Sequence, residues 1–236
     1  MIRIGAIDGD SIPYKIGYVA EKEGLSEKIA AEFVDKTIKS IFKDAFLTHY
    51  IIFLSGSSNF RNGIASIQEY KGGRKIEKPL YFYEIRNYLK DNYNTFYVHG
   101  AEADDAVAVW QTYYGKNSII CSDDKDLLQI PGDHFNLRTK KIITIGEVEA
   151  NYRVYHQLLT GDSTDNIRGI EGIGPAKANK ILAAVKPVDY KKECLQQYVN
   201  KYGNQGIDYC KETFRLIYMM REFKSIMLPK SVAIIK

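Results

Sequence analysis

Four short apolar runs, each cut off by a polar or acidic turn, constrain this 236-residue chain more than anything else in it. Residues 2–7 end at Asp8-Gly9-Asp10, and residues 50–54 run into Ser55-Gly56. Residues 95–98 precede Glu102-Ala103-Asp104-Asp105, and residues 117–121 end in Ser122-Asp123-Asp124-Lys125-Asp126. Such runs are too short for core helices and suit buried strands. Between them, residues 26–46 carry an apolar stripe at helical spacing (Ile29, Phe33, Ile38, Phe42, Phe46), and Pro79 opens another with Leu80, Tyr83, Ile85 and Leu89. Alternating strands and helices predict an α/β fold with a mostly parallel central sheet. A hairpin is expected over 134–137 and 140–145, turning at Arg138-Thr139. Helices are expected over 147–160, 190–202 and 207–223, so the C-terminal part is mostly α. The predicted division is an α/β domain over 1–160 and a helical region over 161–236.

In a parallel sheet the carboxyl ends of the strands face the ligand. Taken alone, Asp8 reads first as a turn acid or helix cap. Acids in the first turn of the helix after Ala101 are favoured by its dipole, yet Glu102, Asp104 and Asp105 exceed what capping needs, and Glu102 and Asp105 share a face. With Asp124/Asp126 and Asp162/Asp165 they make four acidic groups at strand ends or helix starts. Two like charges about 4 Å apart repel by roughly 4 kcal/mol at an effective dielectric of about 20. A cluster of this kind therefore calls for cations, and all-oxygen donors select Mg²⁺ or Mn²⁺ before Zn²⁺. Two such ions suit in-line phosphodiester hydrolysis.

The stretch from Gly161 to Ile181 joins two chemistries. Asp162 and Asp165 stand on a glycine-broken turn, and Gly169-Ile170-Glu171-Gly172-Ile173-Gly174 then opens into a helix at Pro175. Glycines allow close backbone approach, proline suits a first helical position, and the free N–H groups there attract anions, with Lys177 and Lys180 nearby. Upstream, Phe60-Arg61 and Tyr70-Lys71-Gly72-Gly73-Arg74 interleave basic residues with aromatics, which suits backbone phosphates or a solvated loop.

Composition excludes little but is consistent with this. The net charge of +4 permits a polyanionic partner. Three unpaired-looking cysteines (Cys121, Cys194, Cys210) imply free thiols in a reducing compartment. The four histidines have no metal-ligand spacing, no nucleophile-elbow or Gly-x-x-x-x-Gly-Lys motif occurs, and no signal peptide or membrane-spanning run is visible. A cytoplasmic protein with no membrane partner is expected.

The motifs Asp8-Gly9, Phe60-Arg61, Tyr70-Lys71-Gly72-Gly73-Arg74, Glu102-Ala103-Asp104-Asp105, Ser122-Asp123-Asp124-Lys125-Asp126, Gly161-Asp162-Ser163-Thr164-Asp165-Asn166 and Gly172-Ile173-Gly174 occur in the order seen in the 5′-nuclease family. That family includes phage 5′–3′ exonucleases, flap endonucleases and the N-terminal domain of bacterial DNA polymerase I, and the short phage members look most similar. The resemblance spans roughly residues 2 to 185. It implies a PIN-like domain followed by a helix-hairpin-helix-type DNA-binding region that in many members holds K⁺. It also implies a two-metal site: Asp8, Glu102, Asp104, Asp105 and Asp124 match the first ion's ligands, and Asp126, Asp162 and Asp165 the second's. Lys71 and Arg74 match catalytic residues on the scissile phosphate. Arg61 precedes them as a phosphate contact, and Tyr70, Gly172, Gly174, Lys177 and Lys180 are the further residues expected to bind DNA.

The resemblance thus implies a monomeric, Mg²⁺- or Mn²⁺-dependent enzyme cutting DNA at free 5′ ends, flaps or nicked duplex in replication or repair, with RNA–DNA primers as a further substrate. Two departures stand out. Many members carry an Asp after the second strand, where Leu54-Ser55-Gly56 has none, so water or Asp10 takes its place. Few residues separate Arg74 from Pro79, which predicts a short arch. An RNA-cleaving PIN nuclease and a junction-binding protein with a weakened metal site are the alternatives.

Overall fold

The computed structural model describes residues 2–73 and 77–222. In chain order the elements are β1 (Ile4–Asp8), α1 (Ser11–Glu23), α2 (Glu27–Asp44), β2 (His49–Ser55), α3 (Arg61–Ile64), α4 (Phe82–Asn92), β3 (Thr95–Val98), α5 (Ala103–Tyr114), β4 (Ser118–Cys121), β5 (Gly132–Phe135), β6 (Ile142–Ile145), α6 (Glu147–Thr160), β7 (Gly161–Asp162), β8 (Ile167–Arg168), α7 (Pro175–Ala183), α8 (Tyr190–Tyr202) and α9 (Gln205–Ile217). They form two compact units. One takes the described residues within 1–58, 76–145 and 220–236, the other those within 59–75 and 146–219.

The first unit is built on a sheet of order β3-β2-β1-β4-β5-β6, parallel except for β6, which pairs antiparallel with β5. The chain winds outward from β1 through β2 to β3, then returns to lay β4 on the other side of β1. Strands β1 and β4 therefore flank the switch point, where open α/β sheets bind ligands beyond the carboxyl ends. One sheet face (Ile7, Ile52, Leu54, Ile119, Cys121, Phe135) packs on Ile12 and Ile16 of α1, Val34, Ile38 and Ile41 of α2, and Ile85 and Leu89 of α4. The other takes α5, whose fully buried Trp110 lies 5.7 Å from the Phe53 ring.

Local sequence explains the elements. Ser26 caps α2 by accepting the Ile29 N–H. Helix α1 goes beyond the sequence reading, although Ile12, Ile16 and Ala20 already hold a buried stripe at four-residue spacing. Helix α4 begins at Phe82 rather than at Pro79. The expected hairpin is present as the antiparallel pair β5–β6, its first strand starting two residues earlier than read from sequence, with Phe135 opposite Ile142.

The second unit has its own core, in which Tyr70 and α6 residues Leu158 and Leu159 join Ile167, Ile170, Ile173, Ala178, Leu182, Tyr190, Tyr198 and Leu216. That packing draws α6 and residues 59–73 into this unit, whereas the boundary read from sequence ran at residue 160. Gly161 and Gly169 close a two-stranded turn: a Cβ on Gly161 would stand 2.3 Å from the Gly169 N, and one on Gly169 2.3 Å from the Gly161 N. Neither position admits a side chain.

Candidate active site

At the carboxyl end of β1, Asp8 is buried and Gly9 lets the chain turn against β2, its N–H donating to the Phe53 carbonyl at 2.9 Å. A Cβ at Gly9 would meet that carbonyl at 2.8 Å. The Asp8 carboxylate accepts the Ser122 hydroxyl at 2.9 Å and the Asp10 N–H at 3.2 Å. Burial, the Asp10 carboxylate and the Asp124 carboxylate push its pKa up from 3.8 to about 7, outweighing those hydrogen bonds. Ser122 also accepts the Asp124 N–H at 3.0 Å, so it relays between the β4 turn and Asp8. Asp124 in turn accepts the Asp126 N–H at 2.8 Å. Asp123, between Ser122 and Asp124, turns instead to Lys15 at 2.8 Å.

A second serine does the same on the other side of β1. Ser55, at the end of β2, accepts the Ala103 N–H at 2.8 Å and donates its hydroxyl to Asp10. Ala103 opens α5, where Glu102 and Asp105 form a reciprocal capping box. Asp104 accepts the Asp105 N–H at 2.7 Å. Asp105 is fully buried, its oxygens accepting the N–H groups of Glu102 (3.3 Å) and Met220 (3.1 Å). Asp105 therefore serves as an anchor of the α5 start, and capping explains part of an acid group that the sequence reading weighed towards metal. Both serines and Arg86, which pairs with Asp10 at 3.0 Å, escaped the sequence reading.

Among the described residues, no three His, Cys, Asp or Glu side chains are grouped so as to hold a metal ion as they stand. The donor chemistry at β1 nonetheless fits a hard divalent cation: the donors are all carboxylate oxygens, and Asp8 ionises only near neutrality because burial, and then the Asp10 and Asp124 charges, disfavour its anion. A cation there would offset that crowding.

In the second unit, Asp162 accepts the N–H groups of Thr164 (2.7 Å) and Asp165 (3.3 Å) and the Gln157 amide (3.0 Å). Asp165 accepts the Tyr70 hydroxyl at 3.0 Å and lies 3.8 Å from the Lys71 ammonium. Lys71 adopts a left-handed backbone (φ 57°), its N–H donating to the Asp165 carbonyl at 2.8 Å. Tyr70 is buried rather than displayed for a ligand. Arg61 departs further from its expected role as a phosphate contact. It is buried, its Nε donates to the Leu216 carbonyl at 2.8 Å, and Nη2 reaches the Tyr218 carbonyl at 3.4 Å. It satisfies carbonyls left open at the end of α9, with the Phe60 ring 4.7 Å beneath it. Arg74 and part of the expected short arch lie outside the described residues.

The hairpin before α7 has Gly172 at φ 80°, Gly174 as N-cap with open space where a Cβ would stand, and Pro175 in the first turn. Lys177 and Lys180 are exposed beside it. Glu171 pairs with Lys201 at 3.3 Å and Arg168 at 3.8 Å. All three cysteines are buried and free, and burial pushes Cys121 and Cys194 up to about 12.

Comparison with known proteins gives the chain a family and a fold. The family described as "5′-3′ exonuclease, N-terminal resolvase-like domain" matches residues 3–164. The chain is 26% identical to DNA polymerase I of Bacillus subtilis over 94% of its own length but only 27% of that protein's. It is 31% identical to a 5′-3′ exonuclease of Buchnera aphidicola, covering 59% of the chain and 54% of the relative. It is 27% identical to flap endonuclease Xni of Shewanella amazonensis over 94% of both. In fold it is similar to the T5 D15 protein co-crystallized with metal ions (TM-score 0.61, 20% identity, 91% of this chain and 99% of that one). It is also similar to the catalytic core of Rad2 in complex with DNA substrate (TM-score 0.54, 15% identity, 96% and 76%). With the match running from residue 3 to residue 164 of 236, the chain belongs to the 5′-3′ exonuclease family.

Proposed function

We propose that this protein is a metal-dependent 5′-nuclease that hydrolyses DNA phosphodiesters at free 5′ ends or 5′ flaps. The observation that carries the reading is the buried Asp8 at the β1/β4 switch point, crowded by Asp10 and Asp124. Family membership and the relatives' names as exonucleases and flap endonucleases support it. So does the fold's likeness to proteins solved with metal ions and with DNA.

Asp8, Glu102, Asp104, Asp105 and Asp124 are assigned to a first Mg²⁺ or Mn²⁺, and Asp126, Asp162 and Asp165 to a second. Bound ions would supply Lewis acidity to the phosphate and favour ionisation of the attacking water. The chain's own contributions are distinct. Ser122 holds Asp8 and the Asp124 backbone in one orientation. Ser55 fixes the start of α5, and with it Glu102 and Asp104. Lys71 and Arg74 would neutralise the scissile phosphate, with Tyr70 fixing Asp165. The Gly172–Gly174 hairpin with Lys177 and Lys180 would grip the duplex backbone and could hold K⁺, an oxygen-seeking ion, on its carbonyls. Binding should weaken steeply with salt.

A monomer working in the cytoplasm on replication or repair intermediates, RNA–DNA primers included, is the proposed setting. A phage source fits the likeness to the T5 protein. No helix among the described residues is long and apolar enough to cross a membrane. The test is digestion of a 5′-flap, a nicked duplex and a blunt duplex, each 5′-labelled, with and without Mg²⁺, alongside RNA. Release of mononucleotides marks an exonuclease and a flap-length product an endonuclease. No Mg²⁺-dependent cleavage of any DNA would overturn the proposal.

A further inference from the structure

One charged pair at the acidic edge has no assigned role. Asp10 Oδ1 accepts the Ser55 N–H at 3.0 Å and the Arg86 Nη1 at 3.0 Å, and Oδ2 accepts the Ser55 hydroxyl. Arg86 also donates through Nη2 to the Ser55 carbonyl, and its guanidinium lies 5.7 Å from the Phe82 ring and 5.2 Å from Tyr97. Its side chain is only 14% exposed. A guanidinium held by an acid, a carbonyl and two rings cannot swing away, so its charge stands permanently beside Asp10. Asp10, for its part, is turned onto Ser55 and engaged through both oxygens, which leaves it poorly suited to ligate an ion itself. The Ser55 hydroxyl it holds is the one that receives the first N–H of α5.

We infer that Arg86 and Asp10 are positioning residues for the acidic edge. Together they form an electrically neutral strut that ties the end of β2 to the start of α5. The strut also sets the local charge that a divalent cation meets beside Asp8. This rests on the metal-dependent reading above. The single variants make opposite predictions. Arg86→Gln leaves Asp10 uncompensated, so Mn²⁺ should bind more tightly, by about fivefold for one unit charge acting on a divalent ion across several ångströms of high dielectric. Turnover should nevertheless fall more than tenfold, because the strut is broken, with KM for DNA little changed. Asp10→Asn leaves the guanidinium uncompensated and should weaken Mn²⁺ binding by about fivefold. The double variant should return to within about twofold of the parent affinity, and Arg86→Lys, which keeps the charge, should match the parent in affinity while remaining slow.

The experiment is calorimetric Mn²⁺ titration of the full chain and these four variants, with circular dichroism confirming the fold and single-turnover cleavage run in parallel. Should Arg86→Gln not fold, Asp10→Asn against the double variant and Arg86→Lys still decides. Opposite shifts that cancel in the double variant establish the strut. Unchanged affinities, or losses in the same direction tracking lower melting temperatures, would reduce the pair to ordinary packing and overturn the inference. A parent protein that binds no Mn²⁺ and cleaves no DNA would instead sink the nuclease proposal.

Discussion

The acids of the first unit and those of the second are held on opposite principles. In the first unit, Asp8 is met by a hydroxyl and a backbone N–H, while Asp10 and Asp124 press on it with like charge and burial removes water. In the second, Asp165 has Lys71 and the Tyr70 hydroxyl, and Asp162 has an amide and two backbone N–H groups. One group is electrostatically frustrated, and the other is compensated from within. A local conflict that persists in a folded chain is where function is expected. The contrast therefore teaches that a cation entering at Asp8 relieves an existing strain, whereas one entering at Asp165 must displace partners already present.

The sharpest way to break the comparison is catalytic. Asp124→Ala and Asp162→Ala should each lower DNA cleavage by more than about a hundredfold, the scale of losing one electrostatic stabiliser of the transition state. If single-turnover rates fall only for Asp124→Ala, the second group is structural and the second ion is lost from the mechanism. Next in size is pH. Folded Asp8 takes up its proton near pH 7 while an unfolded chain does so near 3.8, so the folded state binds more protons between those values. Metal-free stability should fall as pH rises from about 4 to about 7, by up to about 4 kcal/mol. Thermal melts in chelator at stepped pH would show it, and Asp8→Asn should flatten the slope.

Smaller effects separate the two groups at fixed pH. At pH 7.5 without metal, Asp8→Asn should raise the melting temperature by removing a buried charge and its repulsion with Asp10 and Asp124, and Asp165→Asn should lower it by stranding Lys71 and Tyr70. Changes of about 1–3 kcal/mol are expected. The same sign in both variants would dissolve the contrast. Added Mg²⁺ should raise the melting temperature of the parent, by about 2.7 kcal/mol of stability at a hundred times Kd, and do so less for Asp8→Asn. Smallest of all, Cys121, Cys194 and Cys210 should resist a thiol reagent in the native protein, being buried and poorly ionised. Fast labelling would show that the cores open readily.

Strands and most helices were legible because they depend on local periodicity and on residue type. The serine relays were not. Ser122 meets Asp8 across 114 residues and Ser55 meets Asp10 across 45, and a serine beside an acid carries no signal of its own. Arg61 misled for a related reason: a cation set between Phe60 and the small polar residues Asn62-Gly63 looks solvent-facing until helix α9 arrives to bury it. Asp105 combined both problems, since a capping acid and a metal ligand occupy the same first-turn position.

The second unit draws on two stretches of chain, 59–75 and 146–219, that are separated by strands of the first. During synthesis this imposes an order. The sheet from β1 to β6 is complete in sequence by Ile145, but Tyr70 and Arg61 have no core to enter until Leu158, Asp165 and Leu216 have been made. At about 5–20 residues per second, residues 59–75 would wait roughly 7–30 s on the ribosome with an aromatic and basic surface uncovered. Nascent-chain chaperones, or nucleic acid itself, would meet that loop before its own fold does.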